Sequence, residues 1–165
     1  MTNDSIIKLF MENAAKVSAD PVRVANTREM NSVLGKITAR AGAIYLRKKT
    51  DVEKTVRIPK DRIVADYHDA AFTIEQVDGA IAETGSVICS SSNGRVVQSS
   101  LLPAHHIAIV KSDTIYETLD EYFAGLNGTP PTNITLITGP SRTADIELTL
   151  TIGVHGPEQV SIIII

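Results

Sequence analysis

Glu83, Ser141, Arg142 and Thr143 are the side chains whose type and placement come nearest to chemistry in this chain. Gly139-Pro140-Ser141-Arg142-Thr143-Ala144-Asp145 follows the apolar run 133–138. A strand that feeds through a glycine turn into a helix start would leave free backbone N–H groups aimed at one spot. Two hydroxyls and a guanidinium there would complete a site for a carboxylate or phosphate. The plainer alternative is an ordinary helix cap, with Arg142 paired to a nearby acid. Glu83-Thr84-Gly85-Ser86 follows the apolar Ala80-Ile81-Ala82. A carboxylate at a strand end of an open α/β sheet is placed to act as base, nucleophile or ligand. It could equally be a turn glutamate that accepts bonds from Gly85 and Ser86. If both motifs end strands of one parallel sheet, Glu83 is expected near the Ser141–Thr143 turn.

Other constellations carry less. His105 and His106 are adjacent, so on a strand they face opposite sides and cannot share one metal. His155 lies in the turn Gly153-Val154-His155-Gly156-Pro157, where a structural role is the better reading. Ser141, His155 and Asp145 can be written as a triad, but no GxSxG elbow supports it. Neither GxGxxG nor GxxxxGK[ST] occurs, which removes the main support for dinucleotide and P-loop readings. Cys89 is the single cysteine, so this chain alone can hold no disulfide, iron–sulfur cluster or thiolate zinc site. No resident cofactor is expected.

The elements that must position these groups are those of one α/β domain over residues 1–165. With 165 residues, 43% hydrophobic and 21% charged, the chain is too apolar for disorder. It can bury roughly two-thirds of its unfolded surface without staples. A net charge of −3 argues against nucleic acid. No apolar run reaches the roughly 18 residues of a membrane span, and the charged N-terminus is unlike a signal peptide, so a cytoplasmic protein is expected. Charge is unevenly spread. Residues 1–62 carry 13 basic and 7 acidic side chains, whereas 63–165 carry 3 and 12. The three late cations, Arg95, Lys111 and Arg142, are therefore each candidates for a specific task.

Periodicity predicts helices over 4–17 and from a Thr27 cap through Ile37, with Gly42 as a left-handed C-cap. Strands are expected at 22–25, 43–46, 73–77, 79–83, 86–89, 105–110, 133–138 and 160–165, with a tight turn at Asn93-Gly94. The charged stretch 47–62 reads as a solvated loop. Residues 113–126 read as a helix opened by a Thr114/Glu117 capping box. Ile146, Leu148, Leu150 and Ile152 alternate like a strand. A helix over about 142–150 is nevertheless preferred, because two parallel strands on either side would need a helical crossover.

Five motifs together resemble a known family. Ala80-Ile81-Ala82-Glu83-Thr84-Gly85-Ser86, Gly94-Arg95, Ser100-Leu101-Leu102-Pro103 with His106-Ile107, the 139–147 segment and 153–157 occur in the order of the lactate-utilisation protein C family (LutC/YkgG, the LUD domain). The resemblance implies an α/β fold with a mainly parallel central sheet flanked by helices, similar to the NagB/RpiA/CoA-transferase-like group. It also implies a part in bacterial oxidation of L-lactate to pyruvate beside iron–sulfur partner proteins. Two functions follow. One is a non-redox accessory subunit that binds a small carboxylate or phosphate, with Thr84, Gly85, Ser86, Arg95, Ser141, Arg142 and Thr143 as its binding residues. The other is an acyl- or CoA-transferase-like enzyme that uses Glu83, with Arg95 and Arg142 holding the anionic substrate.

Overall fold

A computed structural model describes residues 1–128, 130–144, 150–152 and 155–165. Five α-helices and twelve strands are placed among them. The helices are α1 (Asn3–Lys16), α2 (Thr27–Ile37), α3 (Asp51–Thr55), α4 (Gln98–Leu101) and α5 (Leu119–Ala124). The strands are β1 (Asp20–Arg23), β2 (Ile44–Leu46), β3 (Ile63–Val64), β4 (Phe72–Gln76), β5 (Gly79–Ile81) and β6 (Ser86–Ser90). They continue as β7 (His105–Val110), β8 (Ile115–Tyr116), β9 (Ile134–Ile137), β10 (Arg142–Ala144), β11 (Leu150–Ile152) and β12 (Gln159–Ile164).

A six-stranded sheet in the order β1-β12-β7-β4-β2-β3 forms the centre, and every pairing in it is parallel. β7 is buried at all six positions, as expected of a strand covered on both faces. Alternate residues of β7 and β12 serve different cores. Ala108, Val110, Val160, Ile162 and Ile164 pack with Ile7, Phe10 and Ala14 of α1 and with Ala80, Val87 and Cys89. Ile107, Ile109 and Ile163 pack with Met30 and Leu34 of α2, Ile74, Ile44 and Val56. One face of the sheet thus carries α2 and α3, and the other carries α1 and a second sheet.

That second sheet has the order β8-β5-β6-β9, with β5/β6 and β6/β9 antiparallel. Its far side packs Ile81 and Ile88 against Tyr122 of α5. The mainly parallel central sheet expected from sequence is present, and this second sheet with its antiparallel pairs lies beside it. The short links after Ile81 and inside 77–90 leave room for hairpins but not for helical crossovers.

Several boundaries differ from expectation. α2 is capped by Asn26, whose side chain accepts from Glu29 N, and not by Thr27. Its C-cap is Thr38, at φ −90° and ψ 6°, and Gly42 is not in the left-handed region. The expected helix 113–126 is a single-turn 3₁₀ segment, the strand β8 and then α5. Its capping residue is Thr118, bonded to Glu121 N at 3.2 Å, in place of Thr114. β9 is an edge strand with only Ile137 buried, not a buried central one. The preferred helix over about 142–150 is contradicted at its start. Arg142–Ala144 pairs antiparallel with Leu150–Ile152, so the alternating pattern prevails and no helical crossover begins there. Asp145, Ile146, Glu147 and Leu148, and the Gly153-Val154 step, lie outside the described residues.

Candidate functional site

The Glu83 turn is built by α1 and α5. Asn13 donates through Nδ2 to the carbonyls of Ala82 (2.9 Å) and Glu83 (3.2 Å). Gly85, at φ 69°, lets the chain press onto the backbone of Asn13 and Ala14, where a side chain would collide. Hydroxyls link Thr84 to Ser86 (2.8 Å) and Ser86 to Thr138 (2.7 Å). Gly139, at φ 70°, abuts the Val17 carbonyl. The two turns singled out in the sequence therefore meet at the C-terminal end of α1. Their chemistry does not converge, however. The Glu83 carboxylate is exposed and accepts from Leu119 N at 2.7 Å, which fastens it to the start of α5. The Ser141 amide donates to the Pro157 carbonyl, and its hydroxyl accepts weakly from His155 N at 3.4 Å. Arg142 is exposed and donates to the Ser18 hydroxyl. Thr143 contributes backbone to the β10/β11 pair. With no helix start at 142, the backbone N–H array behind the anion-site expectation is absent at Arg142–Ala144.

Arg95 is not free to hold a ligand. Its side chain is buried, with Nε 3.0 Å from Glu75 Oε2. Its other nitrogens donate to Asp78, to the Gln76 carbonyl (2.6 Å) and to the Ser90 carbonyl (3.2 Å). Glu75 also accepts from Ser100 and from His106 Nε2 at 3.0 Å. Burial pushes the Glu75 carboxyl up, but the bond to His106 and the charges of His106 and Arg95 outweigh it and hold the group below its ordinary value. Donor atoms of Glu75, Cys89 and His106 lie within 4.8 Å of one another, a ligand set for a cation by count. The chemistry opposes it: Arg95 already neutralises Glu75, and burial drives the Cys89 thiol far above its usual range. The cluster is a self-compensated polar core between the two sheets. A charged residue inside the run Phe72-Thr73-Ile74-Glu75-Gln76 was the available signal for it.

A different site opens at the carboxyl edge of the central sheet. β2 and β4 are neighbours, but the chain leaves them in opposite directions. From β2 it passes through α3 to β3 on one side; from β4 it enters the second sheet and returns as β7 on the other. Such a reversal leaves a crevice beyond the strand ends, where ligands of open α/β sheets gather. Here a cavity of about 470 Å³ is lined by Lys49, Thr50, Asp51, Gln76 and Lys111. Its frame is rigid. Glu53, fully buried, accepts from Lys49 N (2.7 Å), Thr50 N (3.0 Å) and Gln76 N (2.9 Å), so one carboxylate ties the loop after β2 to the end of β4. Buried Arg47 stands 3.5 Å from Glu53 Oε1. Lys48 adopts φ 53°, a left-handed conformation costly for a residue with a side chain and common where a loop is held for function. The one acid on the lining, Asp51, is paired with Lys54 at 3.0 Å, which lowers its pKa. Lys49 and Lys111 remain to offer positive charge.

Residues 7–165 match the model of the LUD domain. The chain belongs to the LUD domain family. Among relatives of this LUD domain, the lactate utilization protein C of Halalkalibacterium halodurans is 27% identical, over 99% of this chain and 80% of that protein. Those of Macrococcus caseolyticus and Shouchella clausii are 38% and 35% identical, over 62% and 61% of this chain. The chain's match spans only 46% and 45% of those two proteins. The crystal structure of a DUF162 family protein from Deinococcus radiodurans superposes with a TM-score of 0.71 at 20% identity, covering 99% of this chain and 98% of that one, which supports the fold. In this LUD domain the stretch 47–62, read from sequence as a solvated loop, holds α3 and the buried Arg47–Glu53 pair. Thr50 and Glu53 form a capping box there, a spacing visible in the sequence. No helix among the described residues is long and apolar enough to cross a membrane.

Proposed function

We propose that this LUD domain acts in bacterial oxidation of L-lactate to pyruvate as a non-redox accessory component beside iron–sulfur partner proteins, and that it binds a small carboxylate or phosphate. The names of its relatives support the pathway. The observation that carries the ligand is the pair Lys49 and Lys111 on one cavity at the point where the sheet's connections reverse. A carboxylate there gains two ammonium partners against a wall held by Glu53. Redox work falls to partners, because the only thiol, Cys89, is sealed in the core. The transferase alternative gains no support from Glu83, whose carboxylate is engaged at the start of α5.

The test is a thermal melt of the wild type and of the double variant Lys49→Ala/Lys111→Ala with L-lactate, pyruvate and inorganic phosphate. Both lysines are exposed, so the variant is expected to fold. A ligand-induced rise in the wild type that disappears in the variant supports the reading. A rise of equal size in both proteins, or no rise with any of the three, removes the crevice as the site.

A further inference from the structure

A second cavity lies elsewhere, between the first turns of α2 and the end of α3. It encloses about 920 Å³, within the range of small-molecule sites. Arg28, Lys54 and Arg57 contribute to its lining, with the hydroxyl residues Thr27, Ser32 and Thr55, and no carboxylate does.

The frame that spaces these cations is specific. Asn31 spends its whole amide on it. Nδ2 donates to the carbonyls of Thr27 (2.9 Å) and Thr55 (3.1 Å), and Oδ1 accepts from Arg57 N at 2.7 Å. One side chain thereby fixes the end of α3 against α2 and anchors the Arg57 backbone on the same cavity that Arg28 lines. The two arginine charges on this frame are uncompensated. Among the described residues neither Arg28 nor Arg57 comes within 4.0 Å of an acidic group; the arginines that do are Arg23, Arg47 and Arg95. Lys54 has only the exposed Asp51, three residues before it, a pairing easily exchanged for a stronger anion. Glu29, the nearest acid on α2, is turned back to accept from Ala25 N.

We propose that this cleft is a second ligand site, separate from the crevice, and that it takes a molecule bearing at least two linked phosphates. Guanidinium groups match phosphate oxygens with two parallel hydrogen bonds, and two arginines with a lysine balance a diphosphate. The cavity exceeds what a single phosphate fills, which leaves room for an organic group attached to it.

Isothermal titration with inorganic pyrophosphate and with ATP, at low and at physiological salt, tests the proposal. Saturable binding of at least one probe at one site per chain is expected. Arg28→Ala and Arg57→Ala should each weaken it about tenfold or more, and the double variant should abolish it. Both side chains are exposed, so circular dichroism should show both variants folded. Lys111→Ala, which alters the crevice, should leave the affinity unchanged. Absence of binding by both probes, equal affinity in the double arginine variant, or a loss that follows Lys111→Ala would each overturn it. The crevice reading is tested by separate ligands and separate lysines, so either can fail alone.

Discussion

His106 Nε2 lies 3.0 Å from Glu75 Oε1, and neither side chain reaches solvent. Thr73 and His106 are paired across β4 and β7, so Glu75, two residues along β4, leans back to the histidine on the same face of the sheet. The carboxylate sits where it can also meet Arg95 and Ser100. This one contact couples the parallel sheet to the residues that hold the second sheet against it.

Removing Glu75 should therefore be expensive. Glu75→Ala leaves Arg95 buried with half of its compensation, and a loss of about 3–5 kcal/mol is expected, read as a lower urea midpoint. The same group sets a pH dependence. Its folded pKa lies below the ordinary 4.5, so the unfolded chain takes up the proton first as pH falls. Its contribution is complete at neutral pH and is lost progressively below about pH 5, through the unfolded value and down to the folded one. Glu75→Gln should flatten that part of the stability profile; an unchanged slope would contradict the assignment.

Gly85 and Gly139 have left-handed backbones, and a Cβ on them would meet the main chain of α1 and of Val17, which caps it, respectively. Each substitution to Ala should cost about 1–3 kcal/mol or more, because the obstacle is main chain and cannot swing away. Gly42→Ala meets nothing within 4 Å and should change stability by less than ~0.5 kcal/mol. Thermal melts of the three variants compare them directly.

Cys89 should be inert. Burial raises its thiol pKa, and no surface of the side chain is open to reagent. Ellman's reagent should titrate one thiol only after denaturant is added. The purified chain should be colourless, without stoichiometric iron or flavin, by absorption spectrum and elemental analysis. Fast labelling of the native protein, or a bound cluster, would count against the placement of Cys89.

Arg142→Ala separates two positions for an anion. The side chain is exposed and its contact is the Ser18 hydroxyl, so stability should fall by less than ~0.5 kcal/mol. Any stabilisation by lactate, pyruvate or phosphate should survive, because the crevice lysines are untouched. Loss of that stabilisation would return the ligand to the Gly139–Thr143 turn.

The strands at 105–110 and 159–164 were legible because covered parallel strands are continuous apolar runs, and α1 and α2 because their apolar residues recur at helical spacing. The helix expected from 142 failed because the crossover argument assumed a parallel sheet on both sides, whereas β9 pairs antiparallel with β6 in the second sheet. Glu83 and Arg142 were conspicuous as motifs, yet nothing local reveals that one is bonded to Leu119 and the other to Ser18, 36 and 124 residues away. Lys111 stands out in the sequence as a scarce cation. Its neighbourhood with Lys49 depends on β2, β4 and β7 lying side by side, which is a property of strand order and not of spacing.

The position of β12 between β1 and β7 bears on how the protein comes into being. During synthesis, residues 20–23 and 105–110 emerge long before the strand that joins them. Until residues 159–164 arrive, β1 has no neighbour in the sheet and β7 presents a bare apolar edge, both open to mispairing. Closing the sheet is therefore a late, cooperative event spanning most of the chain. A nascent chain stalled before residue 159 should be the form that chaperones bind and proteases clear, and one in which residues 159–164 have joined the sheet the form they release.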